Sequence, residues 1–298
     1  MNELMYIVCK SGYSVMVTDR ERKDLTYKQI EVLQKNWGKV QYNGSLSAAT
    51  SRKLAHILEI WFRAIKISQD KKNLLTANED KKLVFVTLTL SDKQVHTDNE
   101  VKRNMLNAFL ITLGRSHGMV NYLWKAEKQK NGNIHFHIVT DIFIDKHRLN
   151  FLWDNIQYRN GYLKKQPIFS NDYVSPSTRI EAIHNNGEIS KYMGKYMSKS
   201  DDNGKVEGRV WGASKVVKSL EDIHFAYDSE TEKIVDSFAE RNPDKVNVGD
   251  FFVTFGTDFF FEIYQRCPHW RSCIKIHYAH IYLSLYNETN LFNERDFV

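Results

Sequence analysis

The pair Asn131-Gly132 sits in the turn-forming stretch KQKNGN, between two runs of strand-forming residues, Val120 to Glu127 and Ile134 to Phe143. An Asn-Gly pair in that setting is the strongest short signal for a β-hairpin, because both residues tolerate the left-handed backbone that a tight turn demands. Two adjacent antiparallel strands follow, and around them the rest of the chain must build a sheet. Upstream, LVFVTLTLS from Leu83 to Ser91 is rich in β-branched residues and too short for a helix, which predicts a buried strand. Thr97 followed by Glu100 has capping-box spacing, and Val101, Met105, Phe109 and Leu113 continue at helical period until Gly114, read as the helix stop. His147 to Tyr158 is again helical in pattern. The order strand, helix, strand, strand, helix predicts an α+β fold, a central antiparallel sheet flanked by helices.

Three regions are expected. Residues 1–80 form a mostly helical N-terminal extension, dominated by a helix from Ser47 whose Leu54, Ile57, Leu58, Trp61, Phe62 and Ile65 share one face. Residues 81–215 hold the core. Within it, YLKKQPIFSNDYVSPS reads as a loop, and Glu188 to Ser198 as a helix. Residues 216–298 are a mixed accessory region: IHFAYDSETEKIVDSF and FFVTFGTDFFFEI alternate as strands do, and Ile274, Tyr278, Ile281, Tyr282 and Leu285 mark a final helix.

With 298 residues, 42% of them hydrophobic and 26% charged, the chain can bury a core and is neither disordered nor fibrous in composition. Its three cysteines form no CxxC pair, which fits a reducing compartment. The first residues lack a sustained apolar run, and no stretch nears the roughly 18 apolar residues of a membrane helix, so a cytoplasmic protein is expected. The net charge of +6 suits an anionic partner. Most of that excess lies between Met119 and Ser200, where 12 lysines and arginines face 7 aspartates and glutamates.

Chemistry concentrates at two places. In NIHFHIV, His135 and His137 are two apart on a strand, so both imidazoles project from one face while Phe136 enters the opposite, apolar layer. Two buried histidines in an apolar strand are costly unless something uses them. Glu127, on the strand before the turn, falls opposite the histidines in one register and on the far face if pairing slips by one residue. Two histidines and a carboxylate leave coordination positions open, which suits catalytic Mg²⁺ or Mn²⁺. In EISKYMGKYMSKS, Tyr192 and Tyr196 share a helix face, and Lys191, Lys195 and Lys199 repeat beside them. Gly194 lowers helix stability by about 1 kcal/mol against alanine, which favours a close backbone approach over plain packing. Arg209, Trp211 and Lys215 are placed to meet phosphate and an unpaired base. Asp98, Glu100 and Asp141 read as surface or capping groups.

The strand VFVTLTLS, the HFH strand and the helix YMGKY, in that order, resemble the HUH endonucleases of the rolling-circle replication initiator type, over about residues 83–215. The paired tyrosines look most like those of initiators from single-stranded DNA phages and related plasmids. That resemblance implies a metal-dependent nickase, with Tyr192 and Tyr196 as nucleophiles, Lys195 as their aid, and His135, His137 and Glu127 on the metal. It also implies Lys191, Lys199, Arg209 and Lys215 on DNA, a single-stranded replication origin as partner, and a host helicase and polymerase. The chain has no GxxxxGK[ST] phosphate loop, so unwinding falls to another protein. Three other readings stay open: a transposase or mobilisation protein with the same chemistry, a DNA-binding repressor without activity, and a two-histidine, one-carboxylate iron oxygenase.

Overall fold

The computed structural model describes residues 6–10, 14–18, 44–69, 81–183, 203–221, 224–226, 229–249, 252–255 and 265–286. The chain divides into two compact units, one made of Met1–Gln41 with Glu221–Ile281, the other of Tyr42–Leu220 with Tyr282–Val298.

The first unit is built on a five-stranded antiparallel sheet. Strands β1 (Tyr6–Lys10) and β2 (Ser14–Thr18) pair with each other, and the later strands β8 (His224–Ala226), β9 (Val246–Gly249) and β10 (Phe252–Phe255) complete the order β8-β1-β2-β10-β9. Only the first few residues of IHFAYDSETEKIVDSF form a strand. Ser229–Arg241 is a helix instead, with Ile234, Val235 and Phe238 buried at three and four residue spacing. The alternation there is real but short, and a run of strong helix formers outweighs it.

The second unit carries the residues of interest. Its helix α1 (Ala48–Gln69) starts where Ser47 accepts a hydrogen bond from the Thr50 amide, and it buries the apolar stripe predicted for it. The sheet has the order β6-β3-β5-β4-β7, antiparallel throughout, from β3 (Val84–Thr89), β4 (Tyr122–Lys128), β5 (Ile134–Thr140), β6 (Thr178–Ala182) and β7 (Trp211–Ala213). Helices flank it, so the fold is α+β as expected. Between β3 and β4, the segments Asp98–Val101, Lys102–Leu106 and Asn107–His117 run on as one helical stretch, α2, whose middle part is a π-helix. The capping box is present, with Thr97 and Glu100 bonding reciprocally. Gly114 does not stop α2. The helix runs on to His117 and ends at Gly118, whose φ of 66° supplies the left-handed cap that Gly114, buried inside the helix, has no need to adopt. Helix α3 (Lys146–Arg159) follows β5, and β6 then joins the sheet edge. Sequence pattern alone does not reveal this strand, TRIEA: it is short, and its Arg179 and Glu181 give it the look of a loop.

Val86, Leu88, Trp124, Ala126, Phe136 and Ile138 line the sheet face turned to α2 and α3, and pack against Met105, Phe109, Leu113 and Trp153. Phe109 and Trp153 meet edge-on, 5.9 Å between centroids.

Asp98 and Asp141 are not surface groups. Asp141 is buried, accepts a hydrogen bond from Asn121 at 3.0 Å, and has its carboxyl pushed up by burial. Asp98 accepts from Lys128 Nζ at 2.6 Å, Gln94 Nε2 at 2.7 Å and the Glu207 amide at 3.0 Å. The Gln94 side chain in turn accepts the Ile134 amide, and the Gln94 backbone amide donates to Asn133. One carboxylate thus ties the β3–α2 loop to the hairpin end beside His135 and to the 207 loop. Burial alone would raise its carboxyl, but the bonds from Lys128, Gln94 and Glu207 outweigh that and hold it below the usual aspartate value. Asp98→Asn, which leaves Lys128 without its counter-charge, is expected to cost about 2–3 kcal/mol in urea unfolding. Because the folded group is depressed, its contribution is complete above the ordinary aspartate range and disappears as pH falls through the folded value, so variant and parent converge in acid.

Candidate metal centre

The hairpin between β4 and β5 sets the site. Gly132 takes φ 84° in a turn closed by hydrogen bonds between Gln129 and Asn133 and from Gly132 to Gln129. From this turn the pairing places Glu127 opposite His135 and Lys125 opposite His137. Opposed residues in an antiparallel pair project from the same face. His135, His137, Glu127 and Lys125 therefore share the face away from Phe136, and the register that would have sent Glu127 to the core is not adopted.

The ligand atoms of Glu127, His135 and His137 lie within 4.8 Å of one another, the one such group of three or more among the described residues. His137 Nε2 is hydrogen-bonded to Glu127 Oε1 at 2.9 Å, and Lys125 Nζ lies 3.4 Å from Oε2. Strand β3 supplies the supporting layer. Thr87 is paired with His137 and Thr89 with His135. Their hydroxyls meet the two Nδ1 atoms at 3.3 and 3.0 Å. When Nδ1 donates to a threonine hydroxyl, Nε2 is left to supply the lone pair that a metal requires, the usual division of labour in a ligating histidine. At His137 a cation would replace the proton that Nε2 and Glu127 share. The imidazoles meet edge-on at 4.4 Å, and Phe85 stacks on His137 at 5.3 Å, so packing holds both rings in place.

Burial gives the cluster its electrostatics. His137 and Lys125 are almost wholly enclosed, and the Glu127 side chain, at 20% exposure, is the most open of the four. Desolvation, with the nearby charge of His137, pushes His135 down to about 3, so its imidazole is neutral at physiological pH. Burial would raise Glu127, but the His137 hydrogen bond and the positive charges of His137, Lys125 and His135 bring its carboxyl down to about 2. Both groups thus stand in the protonation state that binds a cation, and Glu127, His135 and His137 form a possible metal-binding triad.

Sequence reasoning misses Lys125, although its parity with Glu127 two residues on is enough to place it on this face. The same holds for Thr87 and Thr89, whose alternation with Leu88 matches the period of the histidines. Arg209 is half-exposed in the loop before β7, and Lys215 is exposed at the start of the short helix α4 (Lys215–Lys218) just after it. Trp211 is half-buried against the core edge, with Lys218 Nζ 5.9 Å from its ring centroid. Lys191, Tyr192, Lys195, Tyr196 and Lys199 lie outside the described residues.

The stretch of chain that builds this two-histidine, one-carboxylate site also carries a family likeness. Residues 83–201 match the family of the replication-associated protein ORF2. The match spans β3 to β6, with the whole triad, and reaches past Tyr196. It supports a replication initiator family and a role in DNA replication. No curated protein and no solved structure matches the chain. No helix among the described residues is long and apolar enough to cross a membrane.

Proposed function

We propose that the protein is an HUH-type replication initiator that nicks and rejoins single-stranded DNA at an origin through a tyrosine nucleophile. The observation that carries this reading is the meeting of Glu127, His135 and His137 on one sheet face, inside the segment that matches a replication-associated family. Mg²⁺ or Mn²⁺ held by these three side chains would neutralise non-bridging oxygens of the scissile phosphate as charge builds in the transition state. The remaining chemistry belongs to the chain. A free tyrosine has a pKa near 10, so only about 0.1% is phenolate at neutral pH. Lys195, one residue before Tyr196, supplies an ammonium that favours the phenolate. The phenolic oxygen of Tyr192 or Tyr196 attacks phosphorus, the P–O3′ bond breaks, and a 5′-phosphotyrosine and a free 3′-hydroxyl result.

No phosphodiester energy is lost, because one ester replaces another, and the reverse attack by a 3′-hydroxyl reseals the strand without ATP. A second tyrosine lets the enzyme cut a regenerated junction while the first is occupied. A polymerase extends the 3′-end and a separate helicase opens the duplex, both from the host cytoplasm in which a phage or plasmid protein would work. The same strand transfer would serve a transposase or a mobilisation protein, and the choice between them rests on the DNA sequence cut. Incubated with a labelled origin strand and Mn²⁺, the protein should release a 3′-end that a polymerase extends without further treatment. Ends that need phosphatase before extension would contradict the reading.

A further inference from the structure

Beyond the triad, the second unit has a cationic groove at the β7 edge of its sheet, on the face turned to α2. Gly212 is opposite Trp124 in register, and a Cβ at this position would come within 2.7 Å of the indole Nε1. Glycine therefore lets the edge strand lie directly against the ring. Between β7, β4 and the π-helical part of α2 runs a hollow of about 370 Å³. Leu106 and Trp124 are buried in its floor, and Arg103, Arg209 and Lys218 reach solvent at its rim. A second hollow of about 280 Å³, lined by Lys215, shares Lys218 and Ala213 with it. Volumes of this order are those of ligand sites rather than packing faults.

The rim is held in position from below. The Lys102 ammonium is buried and donates to the carbonyl oxygens of Glu207 and Arg209, so a cation is used to fix the loop that presents Arg209. Gly208, at φ 67°, brings that loop so close to α2 that a Cβ would meet Asn99 Oδ1. Among the described residues, none of Arg103, Arg209 and Lys218 forms an ion pair with a carboxylate. The nearest acidic groups are Glu207, exposed beside them, and Glu100, whose carboxylate is engaged by Thr97. Trp211 is opposite Lys125 in register. The edge strand is thus where the face bearing the triad passes into the groove.

We propose that this groove carries the backbone of a single DNA strand as it leaves the metal centre around the β7 edge. Arg103, Arg209 and Lys218 each meet a phosphate, and the half-exposed Trp211 ring stacks on an unpaired base. Rigid cations beside an aromatic platform are what single-stranded nucleic acid selects. The inference rests on the triad being a single-strand DNA site, but it is tested without cleavage, by binding of a fluorescent single strand to the full chain in EDTA. Arg103→Gln with Arg209→Gln and Lys218→Gln should weaken binding at least tenfold. It should also reduce the slope of log affinity against log salt by about 2, since each lost phosphate contact on a single strand removes about 0.7. A control of equal charge, Lys146→Gln with Lys164→Gln and Lys165→Gln, should change neither. Parental affinity and slope in the folded groove variant, or an equal loss in the control, would overturn the proposal. So would duplex DNA competing as well as the single strand. A chain that binds through the groove but never forms an adduct would sink the nickase reading and leave the groove standing.

Discussion

Replacing Tyr192 and Tyr196 together by phenylalanine is expected to abolish covalent attachment to single-stranded DNA, a loss of at least about 10³-fold against the parent. Phenylalanine keeps the ring and the helix-forming tendency of tyrosine and removes only the oxygen that attacks phosphorus, so DNA affinity should change less than about threefold by the same reasoning. Each single variant separates the roles. The tyrosine that makes the first cut is the one whose loss prevents any adduct, and loss of the other should spare nicking but block release of a closed circle. Adduct persisting in the double variant would remove both residues from consideration as nucleophiles.

The second large effect is expected at the metal ligands. His137→Ala removes one proposed ligand, the hydrogen bond to Glu127 and the ring on which Phe85 stacks. Cleavage should fall about 10³-fold, while affinity for the DNA strand, which phosphate contacts elsewhere dominate, moves little. Excess EDTA should reduce the parent to the level of the variant and leave the variant unchanged. Thr87→Val gives the graded version. It leaves His137 in place but removes the hydroxyl partner of its Nδ1, and loss of such a support typically costs about 10–100-fold in metal affinity or activity. Undiminished cleavage in excess EDTA would exclude the metal.

Most of the fold around the triad is legible in the sequence because the signals there are local and strong. An Asn-Gly turn, a capping box and period-two strands each name a conformation without help from distant residues. The hairpin register, which decides on which face Glu127 stands, is left open by sequence, and the turn closed between Gln129 and Asn133 settles it. The errors have physical causes. Gly114 reads as a terminator because a glycine in a helix is costly, yet close packing in the interior offsets that cost. Asp98 and Asp141 look like surface groups because burial of a carboxylate depends on partners, Lys128 and Asn121, that are 30 and 20 residues away. Edge strand β6 and helix Ser229–Arg241 escape a pattern search for a shared reason: their patterns are short and carry charge. The groove beside Trp124 is invisible in sequence, since it is made by a π-helical turn, a loop and an edge strand that only tertiary structure brings together.

The most direct measurement is to trap the protein with an origin strand in Mn²⁺, digest the complex and locate the nucleotide by mass spectrometry. A 5′-phosphate ester on the peptide containing Tyr192 and Tyr196, formed only when the cation and the intact triad are present, is the predicted result. A modified residue elsewhere, or an adduct that forms equally well in EDTA, would contradict it.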